Sequence, residues 1–321
     1  MAATQQQHEP QALLQLRLPT YRHTYTERDL CLYALGVGCG AGDLRFVFEG
    51  APGFGALPTF FTVPAHPALY RVPLAAFVPG CDPTKGLHAE QYLELVSERL
   101  PTSAEVTTTT EVVDVQDKGK GAVTVVRTVS TDAQLGHTLA INEFTSFILG
   151  TKPFKGAAHP LPRAAAATAP NRPPARPADV IVEEAITPDQ AALYRLSGDL
   201  NPLHIDPAAA AHVGFGRPIL HGLCTMAVSA RLVLAEFGGG DAAAVKSVKV
   251  RFSKHVFPGD TCSVHMWALP GGDAVVFETR VKGREGAAIS NAAVVFRPGR
   301  MARRGSGGGG GAAAAAAASK L

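Results

Sequence analysis

The chain has 321 residues, 46% of them hydrophobic and 18% charged, which is enough length and apolar content for two ordinary domains and too little charge for a disordered chain. With 30 Lys and Arg against 27 Asp and Glu the net charge is +3, a balance that excludes a strongly basic nucleic-acid groove. Cys31, Cys39, Cys81, Cys224 and Cys262 are scattered and form no CxxC pair, so reduced thiols are expected instead of a disulfide framework or a zinc site. The opening MAATQQQHEPQ lacks a signal-peptide pattern and no apolar run is long enough to span a bilayer. A soluble globular protein, made in the cytosol and neither secreted nor inserted in a membrane, is therefore predicted.

In chain order, residues 11–150 read as a first folded half. A helical pattern around Leu32-Tyr33-Ala34-Leu35 runs into the glycine-rich stretch Gly36-Val37-Gly38-Cys39-Gly40-Ala41-Gly42. That stretch follows a helix instead of a strand and has neither GxGxxG nor a P-loop lysine, so it is no nucleotide loop. The run Phe60-Phe61-Thr62-Val63 reads as core, and Val123 and Val125 alternate as in a strand after the turn Asp117-Lys118-Gly119. Residues 151–178 are rich in Pro and Ala without period and read as an extended linker.

A second half covers residues 179–298. Its long helix is predicted from Gly222 (GLCTMAVSARLVLAEF) to a stop at Gly238-Gly239-Gly240. Strands follow through Val248, Val250, Phe252 and through Cys262, Val264, Met266, with a turn at Pro270-Gly271-Gly272-Asp273. Residues 299–321 are a Gly/Ala tail that ends in Ser319-Lys320-Leu321, a tripeptide of the kind read by a peroxisomal import receptor.

Both halves follow one plan. Leu32-Tyr33-Ala34-Leu35 matches Leu193-Tyr194-Arg195-Leu196, Leu87-His88 matches Leu220-His221, and Leu100-Pro101 matches Phe257-Pro258, in the same order. Each half is expected to be α+β, one long helix against an antiparallel sheet. The first half has more chain between its first two landmarks, room for a loop in place of helix. Carried back by the first spacing, Asp199 and His204 land on Gly38 and Asp43, so the first half lacks that pair.

The densest chemistry lies in LYRLSGDLNPLHIDPAAAAHVGFGRPILHGLC, from Leu193 to Cys224. Asp199 and His204 flank Asn201-Pro202. Because Pro202 disfavours helix at Asn201, the carboxyl and the imidazole sit on a turning segment that can aim both into one cleft. Together they supply one proton acceptor and one proton donor, as addition of water to a double bond requires. Asp206 before Pro207 reads as a helix cap. At Gly222 the long helix begins, and its first N–H groups, with the dipole behind them, suit an oxygen that becomes anionic.

YRLSGDLNPLHIDP followed by GFGRPILHGLC resembles the signature of the hydratase 2 family, the MaoC-like (3R)-specific enoyl-CoA hydratases of peroxisomes. YTERDLCLYALGVG, DLRFVFEG and LPTFFTVPA are similar to that family's N-terminal domain, so the resemblance covers about residues 11 to 298. It implies a double hot-dog, two repeats each with an antiparallel sheet wrapped around a central helix, in a chain that forms a homodimer. It implies reversible hydration of trans-2-enoyl-CoA to (3R)-3-hydroxyacyl-CoA in peroxisomal fatty-acid metabolism. Asp199 and His204 would be the acid and base, Asp199 in its acid form delivering a proton to C2 and neutral His204 taking one from water. Gly222 would give an N–H to the thioester oxygen and Asn201 would orient the water or the dyad. No metal or redox cofactor is implied, coenzyme A being part of the substrate, and the N-terminal half would house the acyl chain. Ala89, where related sequences often have Gly, falls in the half without the acid/base pair. No dinucleotide fingerprint is present, so a stand-alone hydratase is expected. The alternatives are an acyl-CoA thioesterase on the same fold and a non-catalytic acyl-CoA binding protein.

Overall fold

A computed structural model describes residues 9–302 of the chain; Ser319, Lys320 and Leu321 lie outside the described residues. Among the described residues there are ten strands: β1 (Tyr21–Tyr25), β2 (Gly86–Leu95), β3 (Ala104–Asp117), β4 (Gly121–Asp132), β5 (Thr138–Leu149), β6 (Val180–Ala185), β7 (Val245–Phe252), β8 (Thr261–Ala268), β9 (Ala274–Val281) and β10 (Ala287–Phe296). They form one antiparallel sheet in the order β1-β3-β4-β5-β2-β7-β10-β9-β8-β6. The fold is α+β, and each half repeats the same five-strand order outward from the middle. The halves meet where β2 pairs with β7, from Glu90 opposite Arg251 to Glu94 opposite Ser247. The two expected domains therefore share a single sheet, and one apolar core runs through both, from Tyr33, Phe60 and Phe144 to Met226, Val250 and Phe277.

Between the first and second strands of each half the chain leaves the sheet and covers it, and here the halves differ. In the second half this segment contains the helix Gly222–Phe237, whose residues Leu223 to Ala230 are all buried. A helix apolar on every side belongs in a core, and this one lies inside the curve of β7 to β10. Its part-buried Arg231 donates to the Val37 carbonyl at 3.1 Å, which ties it to the first half, and to Glu184 at 2.6 Å.

The expectation of one long helix per half fails in the first. After the ten-residue helix Glu27–Gly36, no helix between there and β2 exceeds five residues. Pro52, Pro58, Pro64, Pro67, Pro73, Pro79 and Pro83 punctuate this stretch, and each removes an N–H and clashes with the preceding turn. The 3-10 turn Pro58–Thr62 takes the covering role against β2 and β5, with Phe60 and Phe61 buried beneath it. The proposed match of Leu87-His88 to Leu220-His221 is also corrected. Leu87 and His88 lie on β2, the counterpart of β7, while His221 caps the long helix. A dipeptide match without a shared hydrophobic period misaligned the repeat.

Residues 151–178 are held against the sheet, their first part along the edge that β3 leaves free beyond β1. Ala157 and Leu161 donate backbone N–H bonds to Val115 and Val113. Arg163 reaches the buried Glu143 at 2.6 Å, and the Lys249 ammonium donates to the Ala169 carbonyl at 2.7 Å. All five cysteines are free thiols. Gly38 in the glycine-rich stretch has φ +88, and a Cβ there would lie 2.9 Å from Glu184 Oε1, so this glycine serves a turn beside the Arg231–Glu184 pair.

Candidate active site

The turn that carries Asp199 begins where the 3-10 segment Arg195–Ser197 ends at Gly198, whose φ of +125 only glycine adopts readily. Asp199 Oδ1 accepts the Asn201 N–H at 3.2 Å, and Asn201 in turn caps the 3-10 segment Pro202–His204 by accepting the Leu203 N–H at 3.0 Å. The Asn201 side-chain oxygen is thus committed to its own turn, and its backbone N–H holds Asp199 Oδ1. His204 is buried, and its Nδ1 donates to the Ile219 carbonyl at 2.9 Å, which leaves Nε2 with the lone pair. Asp206 caps the following helix by accepting the Ala208 N–H at 2.8 Å.

His221 completes the cluster. Its ring stacks on that of His204 with centroids 3.8 Å apart, and its Nε2 donates to the backbone carbonyl of Asp199 at 3.1 Å. Ligand atoms of Asp199, His204 and His221 all lie within 4.8 Å of one another. A carboxylate with two imidazoles is a donor set that metals accept. One helix residue further on, the Gly222 N–H has no protein acceptor among the described residues. A Cβ at Gly222 would lie 3.2 Å from the Phe252 ring, so a larger residue would press that ring back by a few tenths of an ångström.

Two histidines of the first half also reach this place, and sequence spacing did not single them out. His66 Nε2 lies 3.8 Å from Asp199 Oδ2, both side chains being largely buried. His88, beside Ala89 at a bulge in β2, sets its ring 4.8 Å from that of Phe252. The earlier signals are slight, His66 following the core run after Pro64-Ala65 and His88 standing in the Leu87-His88 landmark of the repeat. A cavity of about 10 Å³ lies against Asp199, lined by Thr62, Val63, His66, Tyr194, Gly198 and Leu223 among others. That is on the order of one water molecule. The core run is thus divided, with Phe60 and Phe61 packed inside and Thr62 and Val63 facing this cavity.

Burial pushes the Asp199 carboxyl up, but His66, His221 and His204 around it, with the Asn201 N–H, outweigh burial and leave it below its ordinary value. Burial likewise lowers His204, against the pull of Asp199, and takes His221 down to about 3. At neutral pH the pair is therefore a carboxylate and a neutral imidazole. The resting carboxylate differs from the acid form expected of Asp199, the imidazoles around it and the Asn201 N–H favouring the charged state over the effect of burial.

Residues 23–150 match the family model of the MFE-2 hydratase 2 N-terminal domain, and residues 167–290 match that of the MaoC like domain. The chain is 42% identical over 271 residues to the "Peroxisomal hydratase-dehydrogenase-epimerase" of Neurospora crassa, covering 84% of this chain and 29% of that one. It thus spans less than a third of that relative's length. It is 37% identical to the "Enoyl-CoA hydratase 2, peroxisomal" of Arabidopsis thaliana, covering 88% of this chain and 94% of that one. Among solved structures, the MaoC-like dehydratase of Phytophthora capsici superposes with a TM-score of 0.76 at 35% identity, covering 89% of this chain and 97% of that one. With both halves matched and a full-length relative of this similarity, the chain belongs to the MaoC-like hydratase 2 family.

Proposed function

We propose that the chain is a (3R)-specific enoyl-CoA hydratase that adds water reversibly to trans-2-enoyl-CoA. The observation that carries this reading is the convergence of the Asp199 carboxylate and the His204 imidazole, within 4.8 Å of the His221 ring, beside the start of a sixteen-residue buried helix. Both the carboxylate and His204 Nε2 accept hydrogen bonds. A water between them donates both hydrogens and turns its oxygen lone pairs toward C3. Asp199 takes one proton as the oxygen adds to C3, and the electron pair moves through C2 to the thioester oxygen. The Gly222 N–H, with the helix dipole behind it, holds that oxygen as it becomes anionic. Asp199, now the acid, returns the proton to C2 on the same face, so OH and H have added and the dyad is as it began. The chain's residues need no metal or redox cofactor for this sequence.

The names of the relatives support an acyl-CoA substrate and residence in the peroxisome, and Ser319-Lys320-Leu321 is the element through which an import receptor would act. A fluorescent fusion that loses those three residues should remain cytosolic. A homodimer is proposed on the family resemblance, and size-exclusion with light scattering reads it directly.

The decisive experiment follows the absorbance of a series of trans-2-enoyl-CoA substrates with the purified chain and analyses the product's chirality. Loss of the enoyl band with a (3R)-3-hydroxyacyl product supports the proposal, and a (3S) product refutes its stereochemistry. Release of free CoA together with an enoic acid whose double bond is unhydrated would make it a thioesterase. Tight binding without either change would make it a carrier.

A further inference from the structure

The first half holds no acid/base pair of its own, yet it sends one titratable ring to the edge of the second half's site. His66 opens the short helix His66–Leu69, directly after the covering turn. Its Nε2 faces Asp199 Oδ2 at 3.8 Å, within ion-pair reach and a few tenths of an ångström beyond a direct hydrogen bond. The water-sized cavity lined by both residues lies at this place. His66 Nδ1 is buried with no hydrogen-bond partner. A neutral ring in that position places its proton on Nε2, toward the carboxylate, because an N–H at Nδ1 would be buried without an acceptor while the Nε2 side faces an anion. Tyr70, perpendicular to the ring at 5.4 Å, and Phe144 at 6.3 Å fix its orientation.

We propose that His66 is a positioning residue for Asp199: from the first half, across the small cavity, it holds the carboxylate ionised and aimed at the reacting water. The site of the second half is then incomplete without this side chain of the first. The inference rests on the hydratase reading above. The groups that act on Asp199 come from both sides of the seam. They are His66, His88 and Tyr70 from the first half, and Tyr194, His204 and His221 from the second. His66 stands first among the imidazoles that oppose the effect of burial on Asp199, and its removal leaves that burial less opposed. It also holds His204 down, so its loss moves both members of the dyad toward their protonated forms.

The test is the pH dependence of crotonyl-CoA hydration by the full chain, wild type against His66→Phe and His66→Gln. In His66→Phe, kcat should fall by about tenfold to 10²-fold, the scale of a misplaced catalytic group, with KM little changed. The acid limb of kcat/KM should move to higher pH. In His66→Gln, whose amide N–H can reach toward the carboxylate, much of kcat should return. A folded His66→Phe with wild-type kcat and an unmoved acid limb would overturn the proposal. So would a change in KM alone, which would make His66 a wall of the acyl site. Should His66→Phe not fold, the glutamine variant decides through its acid limb, since an unshifted limb with reduced kcat contradicts the role. Failure of the wild type to hydrate crotonyl-CoA and longer enoyl-CoAs would instead strike the hydratase reading itself.

Discussion

The two halves of the sheet share a strand order but not a chemistry, and the difference lies almost wholly in the segment between each half's first two strands. From Gly36 to Gly86 and from Ser197 to Val245 the spans are nearly equal in length. The second half uses its span for a turn bearing Asp199 and His204 and then a proline-free helix whose first N–H groups face the same place. The first half, broken by prolines, packs short turns and aromatic rings where its partner has a helix. A ladder of main-chain hydrogen bonds tolerates such divergence, since β-pairing asks only for alternation and a buried face. Catalytic geometry resides in the connection.

That contrast can be broken most sharply at the dyad. Asp199→Asn and His204→Gln should each lower enoyl-CoA hydration by about 10² to 10⁴-fold while circular dichroism and thermal unfolding stay close to wild type. Wild-type turnover in either variant would remove the distinction between the halves as drawn here.

Next in size is packing. Phe61→Ala in the first half, where the side chain is fully buried, should cost about 3–5 kcal/mol in denaturant unfolding, and Met226→Ala in the second half's helix about 2–5 kcal/mol. Comparable losses would mean that an aromatic turn supports its sheet as well as a helix does. A near-neutral Phe61→Ala would mean that the first half leans on its neighbour.

Acid should affect the halves alike. His66 and His88 in the first and His204 and His221 in the second are all lowered from 6.5 by burial, His88 to about 4 and His221 to about 3. Above pH 6.5 neither state of these rings is protonated and no stability is at stake. As pH falls below 6.5 the unfolded chain gains protons that the folded chain refuses, so stability declines, by up to about 1.4 kcal/mol per pH unit for each ring, until the folded values are passed. Asp199 works in the same direction lower down, its contribution being present above 3.8 and lost as pH falls through its depressed value. Urea midpoints measured from pH 7.5 to 4.5 check this, and a flat profile would contradict the neutral state of the rings.

The smallest effect belongs to Asp43, the residue that spacing sets opposite His204. Its carboxylate accepts the Gly40 N–H at 2.8 Å in an exposed loop. Asp43→Asn should leave turnover unchanged and cost under about 1 kcal/mol, which unfolding and rate measurements on one preparation would read.

The second half's site was legible because it is contiguous. Asp199, His204 and Gly222 lie within one run of sequence, and Pro202 and the helix start already dictate a turn feeding a helix. Three strands and their turns were legible from alternation and Gly/Asp/Pro punctuation, as at Asp117-Lys118-Gly119 and in β4, β7 and β8. What escaped was everything that depends on the pairing of β2 with β7. His66 and His88 are far from Asp199 along the chain and near it only because that seam exists. The side-chain commitment of Asn201 escaped because a cap and a catalytic amide look identical in sequence. The charge of Asp199 could be read only with its neighbours in place.

The seam has a practical meaning for anyone who would shorten this protein. A fragment beginning at residue 179 would keep Asp199, His204 and Gly222 but bare the whole flank of β7, with Val248 and Val250 along it, to any extended chain in reach. Such a fragment should self-associate in solution. The smallest unit that can both stay soluble and work is the pair.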